Sequence, residues 1–148
     1  MPLAYENVIT RGPELASPGR VLNITVVFTS VKATMTALRE AGELANRLNG
    51  RITLLVTQVV PYPLPLTSPP VMITWNERRF RLIAEKSPVE TRVAVYLCRD
   101  DGQTIVESLS PRSIVVLGGP KHWWPTPESR LVRRLRKAGH EVIFKQLE

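Results

Sequence analysis

Residues 23–60, "NITVVFTSVKATMTALREAGELANRLNGRITLLVTQVV", change hydrophobic period twice. "NITVVFTS", Asn23 to Ser30, is a continuous β-branched run, the pattern of a strand buried on both faces. Ala37, Leu38, Ala41, Leu44, Ala45 and Leu48 then recur at helical spacing, and Asn49-Gly50 supplies a stop. "RITLLVTQVV", Arg51 to Val60, is a second buried strand. Strand, helix, strand in this order predicts a βαβ unit, parallel and right-handed. Gly42 inside the helix costs about 1 kcal/mol relative to Ala, so its presence predicts close packing there.

The same alternation continues to the end of the chain. "PYPLPLTSPP" holds five of the 13 prolines and predicts a stiff, extended connection. "TWNE" reads as a capping box, Thr74 to Glu77, opening a helix with Trp75, Leu82 and Ile83 on its buried face. "TRVAVYLCR", Thr91 to Arg99, is a third strand. Asp100 and Asp101 then cap a short helix that Pro111 closes. "SIVVLGG" is the fourth strand. Thr126 suits an N-cap and Pro127 the first helical position. Leu131, Leu135 and Ala138 predict the buried stripe of that helix, Gly139 ends it, and "HEVIFKQL" is the last strand. The series predicts an α/β, Rossmann-like, doubly wound parallel sheet of five strands. Residues 1–20, with three prolines and two glycines, read as an N-terminal arm or short edge strand before a domain spanning 21–148.

A chain of 148 residues with 43% hydrophobic and 22% charged residues has the composition of one globular domain. No apolar run approaches the roughly 20 residues that cross a bilayer. The first residues lack the basic start and apolar stretch of a secretory leader. Cys98 is the sole cysteine, which excludes an intrachain disulfide, argues against a zinc site and fits a reducing cytoplasm. The net charge of +7 favours anionic partners. Arg130, Arg133, Arg134, Arg136 and Lys137 concentrate that charge on one helix. No aromatic platform interleaves with them, so a solvated face is the better reading and nucleic acid the weaker one. His122 has no nucleophile or orienting carboxylate at a recognisable spacing, and Cys98 reads as an inert buried thiol. No catalytic residue is assigned, and the chain does not read as an enzyme.

The opening strand running into "TALREAGELANRLNGRITLLV", the proline-containing connection, the short helix before "SIVVLGG", and the final helix with its apolar last strand resemble the universal stress protein family. The resemblance runs from about Asn23 to Leu147. It implies a small cytoplasmic α/β domain, commonly a homodimer paired through the last strands, with ATP bound by some members and not by others. The nucleotide-binding members carry an Asp at the end of the first strand and a G-x2-G-x9-G-[S/T] loop after the fourth. Here Thr29 stands at the Asp position. Gly118 remains, with Gly119 beside it. The second motif glycine falls near Lys121, and Glu128-Ser129 stands at the terminal Gly-Ser pair.

A phosphate at a helix N-terminus is held by free backbone N–H groups and the positive end of the helix dipole. Pro125 and Pro127 remove two such donors from "LGGPKHWWPTPESR". Glu128 places a carboxylate in the first turn, where it repels an incoming anion by about 4 kcal/mol at close range in a partly screened setting. Trp123 and Trp124 add bulk, while Lys121, His122 and Arg130 offer compensating positive charge. The candidate nucleotide-site residues are thus Thr29, Gly118, Gly119, Lys121, Ser129 and Arg130, in a degenerate loop. The reading is a binding or regulatory module with no required cofactor, open to a protein partner. Two alternatives stay open. One is an ATP- or AMP-binding sensor with weak ATPase activity, built on Thr29, Gly118, Gly119 and Ser129. The other is a basic nucleic-acid module. The last strand, with Val142, Ile143 and Phe144 apolar toward both faces, needs a partner along its edge, and a homodimer through that strand is expected.

Overall fold

The computed structural model describes residues 5–9, 22–60, 62, 73–111, 113–120 and 126–147, with the backbone alone for 5–9 and 73–77. The strands are β1 (Tyr5–Ile9), β2 (Asn23–Val27), β3 (Arg51–Val59), β4 (Thr91–Cys98), β5 (Ile114–Pro120) and β6 (Glu141–Leu147). The helices are α1 (Val31–Leu48), α2 (Ile73–Ala84), α3 (Asp101–Ser108) and α4 (Pro127–Lys137). One sheet in the order β1-β4-β3-β2-β5-β6 contains all six strands. β2 to β6 are parallel, the doubly wound five-stranded sheet that the period changes predict. β1 adds a sixth strand, antiparallel to β4, with Tyr5 opposite Leu97 and Ile9 opposite Val93.

Right-handed crossovers sort the helices by face. Chain order moves from β2 outward to β3 and β4, so α1 and α2 cover one face. It then returns across the sheet to β5 and β6, so α3 and α4 cover the other. Ile24, Val26, Leu54, Val56, Val93 and Val116 form the core beneath α1 and α2 with Leu38, Phe80 and Ile83. Val27, Leu55, Ala94, Val115, Leu117 and Val142 form the second core, with Ile105, Val132 and Leu135. Complete burial of such side chains contributes about 1.5–3 kcal/mol each, which explains why the strands read as unbroken apolar runs.

α1 begins where the Ser30 side chain accepts from Ala33 N–H and ends where Asn49 takes the left-handed conformation at φ 53°. A Cβ on Gly42 would overlap the Pro88 ring, so the helix gives up propensity there for a close approach. Two buried stripes differ from the periodicity reading. In α2, Phe80, Ile83 and Ala84 are buried and Leu82 is 58% exposed. The α2 face meets β4 through Phe80, and Leu82 lies on the opposite side. In α4, Val132 and Leu135 are the buried residues, Leu131 is half-buried and Ala138 is exposed. α4 rests on both β5 and β6, which rotates its inner stripe by one residue toward Val132. The Thr74–Glu77 side chains, Trp75, and residues 63–70 of the proline-rich segment lie outside the described set.

A crevice at the carboxyl ends of the strands

β2 lies between β3 and β5, and the chain leaves it in opposite senses on its two sides. In a doubly wound sheet a ligand crevice forms at that reversal, outside the carboxyl ends of the strands. Here it is a cavity of about 370 Å³, within the size range of small-ligand pockets. Val27, Phe28 and Thr29 supply its floor at the end of β2, with Thr57 from β3. Asp100, Asp101 and Gly102 at the start of α3 form one wall, and Glu128, Arg130, Leu131 and Arg134 of α4 form the other.

Of the predicted site residues, Thr29 and Arg130 line this crevice. The Thr29 hydroxyl donates to the Gly118 carbonyl at 2.7 Å, and its backbone N–H donates to the buried Thr34 hydroxyl at 3.2 Å. Thr29 therefore ties β2 to β5 and to the first turn of α1. Gly118 and Gly119 are buried. A Cβ on Gly118 would sit 2.6 Å from the Ala33 carbonyl oxygen, and one on Gly119 would sit 2.9 Å from Phe144 Cζ and 3.0 Å from Glu128 Cγ. The two glycines let α1 and α4 close on β5. Lys121, with His122, Trp123, Trp124 and Pro125, lies outside the described residues.

Ser129 is committed to the cap of α4. Its hydroxyl accepts from Thr126 N–H at 2.8 Å, and the Thr126 hydroxyl accepts from Ser129 N–H at 3.1 Å. Pro127 has no N–H, so Glu128 supplies the remaining amide of that turn. The N-terminus of α3 is likewise satisfied by its own acids. Asp100 accepts from Gln103 N–H at 3.0 Å, and Asp101 accepts from Gly102 N–H at 2.8 Å. Both helix ends facing the crevice thus spend most of their donors internally.

Sequence reasoning took Asp100 and Asp101 as caps and Arg134 as part of a solvated face. All three also line the crevice. The chain-order rule that fixes the crossovers brings the starts of α3 and α4 together over β2, but the rule acts only once the sheet is assembled. Phe28 is a further addition. Its ring meets Phe80 edge-on at a centroid distance of 4.9 Å, and the Arg79 guanidinium lies 5.9 Å from its centroid.

Cys98, at the end of β4, is fully buried. Burial pushes its thiol pKa up, the neighbouring Thr104 hydroxyl opposes the rise, and Asp101 and Asp100 add to it. A thiol held protonated in this way is a poor nucleophile. Among the described residues, no group of three or more His, Cys, Asp and Glu side chains is arranged to hold a metal ion, and no helix is long and apolar enough to cross a membrane.

No family model matches the sequence, and a search of curated proteins finds no match. Solved structures do. A universal stress protein from Archaeoglobus fulgidus is similar at 17% identity and a TM-score of 0.59, over 85% of this chain and 95% of that one. A universal stress protein in complex with cAMP is similar at 10% identity and a TM-score of 0.54, over 86% of this chain and 98% of that one. The chain has the universal stress protein fold, as its order of elements implies.

Proposed function

We propose that the chain is a homodimeric, non-hydrolytic binding module whose crevice takes an adenosine-type ligand carrying at most one phosphate. The charge balance of the crevice carries this reading. Asp100 and Asp101 lie across it from Arg130 and Arg134, and Glu128 stands on the same wall as the arginines, so three carboxylates share the crevice with two guanidiniums. A triphosphate brings several negative charges to such a site, and each close approach to an uncompensated carboxylate is unfavourable by up to about 4 kcal/mol in partly screened surroundings. A nucleoside instead offers hydroxyl and amino donors to carboxylates and a flat ring to Phe28 and Leu131. One guanidinium suffices for a single phosphate. The similar structure in complex with cAMP, an adenine nucleotide with one phosphate, supports the same class.

The regulatory part of the reading is supported by how the described candidate groups are committed: the Thr29 hydroxyl to Gly118, the Ser129 hydroxyl to the α4 cap, and Cys98 to the buried core. Ligand occupancy would then be read by a second copy or a protein partner. Titration calorimetry with adenosine, AMP, cAMP and magnesium-ATP tests the proposal, after a denatured sample is checked for carried-over nucleotide. Tighter binding of adenosine or a monophosphate than of ATP is expected. Micromolar ATP binding, or ATP released from the sample, would favour the ATP-sensor alternative, and silence toward all four ligands would remove the nucleoside reading.

A further inference from the structure

Among the described residues β6 ends the sheet, with β5 on one side only. Glu141 N–H donates to Ser113 O at 3.0 Å. Backbone groups alternate in direction along a strand, so residues 141, 143 and 145 turn theirs toward β5, and residues 142, 144 and 146 turn theirs outward. The outward Val142 carbonyl accepts from Arg136 Nη2 at 3.3 Å, a side chain where a strand would otherwise bind. Ile143, Phe144 and Leu147 are only half-buried on this strand.

We infer that β6 pairs antiparallel with β6 of a second copy in a single register, centred on Ile143. The inference rests on the homodimer proposed above and adds which residues meet. An axis normal to the sheet keeps every side chain on its own face, so opposing residues share parity and the axis passes through a residue. Centred on Val142, the pairing sets the Glu141 carboxylate opposite Ile143 and His140 opposite Phe144. Centred on Phe144, it sets the Lys145 ammonium opposite Ile143 and Gln146 opposite Val142. Centred on Ile143, it sets Glu141 opposite Lys145, Val142 opposite Phe144 and Ile143 opposite itself. Of these three registers, only that one pairs Glu141 and Lys145 with opposite charges and sets Val142, Ile143 and Phe144 against apolar side chains.

The hydrogen-bond direction agrees. Residues 142 and 144 exchange main-chain bonds across the axis, and Arg136 releases the Val142 carbonyl to Phe144 N–H of the second copy. Ile143 with its copy, and Glu141 with Lys145, become the closely spaced, non-hydrogen-bonded pairs, with Cα atoms about 4.5 Å apart. Lys145 already lies 3.5 Å from Glu40 of α1. Its ammonium would then sit between that carboxylate and Glu141 of the second copy.

Charge reversal tests the register. Glu141→Lys and Lys145→Glu each place like charges opposite at two symmetric points, and each is expected to weaken self-association about tenfold or more. Mixed together, the two variants restore opposite charges at both points, so native mass spectrometry should show the mixed dimer in excess over either homodimer. In a separate variant, oxidised Ile143→Cys should give a covalent dimer, since the Cα spacing suits a disulfide. A wild-type dimer whose charge variants show no mixed preference, with no cross-link at 143, would overturn the register and leave the dimer standing. A wild-type chain that stays monomeric at high micromolar concentration would overturn both.

Discussion

The Thr29 hydroxyl donates to the Gly118 carbonyl at 2.7 Å and so joins the ends of two adjacent strands across 89 positions of sequence. In nucleotide-binding chains of the family that this sequence resembles, a carboxylate occupies the Thr29 position. A carboxylate here would face the Gly118 carbonyl with no proton to share. Thr29→Val should lower stability by about 1 kcal/mol, the net worth of one hydrogen bond. Thr29→Asp should lower it further without creating ATP affinity. Denaturant midpoints and ATP calorimetry on the two variants check this, and tight ATP binding by Thr29→Asp would show that the crevice lacks only its acid.

Gly118 and Gly119 differ in what surrounds them. An added methyl at Gly118 meets backbone, the Ala33 carbonyl, while at Gly119 it meets side chains, the end of the Phe144 ring and the stem of Glu128. Backbone yields less readily than a side chain. Gly118→Ala should therefore cost about 1–3 kcal/mol, an overpacking penalty, and Gly119→Ala distinctly less. Urea unfolding of both variants measures the difference, and equal costs would contradict the packing role assigned to Gly118.

His140 is buried between α4 and β6, and its Nδ1 accepts from Ser113 N–H at 3.1 Å. The bond needs a ring nitrogen free of its proton, so the Ser113 amide relies on the neutral imidazole. His140→Leu fills similar space and leaves that amide without its partner, at a cost of about 1–3 kcal/mol. His140→Asn, whose side-chain oxygen can accept, should recover part of the loss in thermal melts.

The raised Cys98 pKa gives a pH prediction with a definite sign. A thiol that ionises less readily in the folded chain than in the unfolded one adds stability that is complete below the ordinary value of 9.0. That contribution is lost as pH rises from there through the folded value. Alkylation in native buffer should be slow at neutral pH and should accelerate on denaturation. Cys98→Ala should flatten the alkaline side of the stability profile.

Local patterning along the chain sets the order and type of the elements from β2 to β6. Burial on both faces writes a continuous β-branched run into β2, β3 and β5, and one-sided burial writes helical spacing into α1. These are local patterns, enforced by the chain's own periodicity. Caps were legible for the same reason. Thr126 and Pro127 at α4, and Asp100 at α3, act within three or four residues of themselves. The weakening of the phosphate loop was also visible, since a missing N–H or an added carboxylate is a property of single residues.

The assembled sheet decides which residues share the crevice. Thr29 bonds Gly118, and Asp100 shares one cavity with Arg134, because right-handed crossovers fold the chain back across β2, and sequence spacing holds no record of that distance. It decides too that Val132 rather than Ala138 faces the core, and that Leu82 faces outward. In each case the outcome depends on the angle at which a helix settles on two strands at once. That angle is set by side-chain volumes contributed from both, such as the Phe144 ring and the Glu128 stem on either side of Gly119.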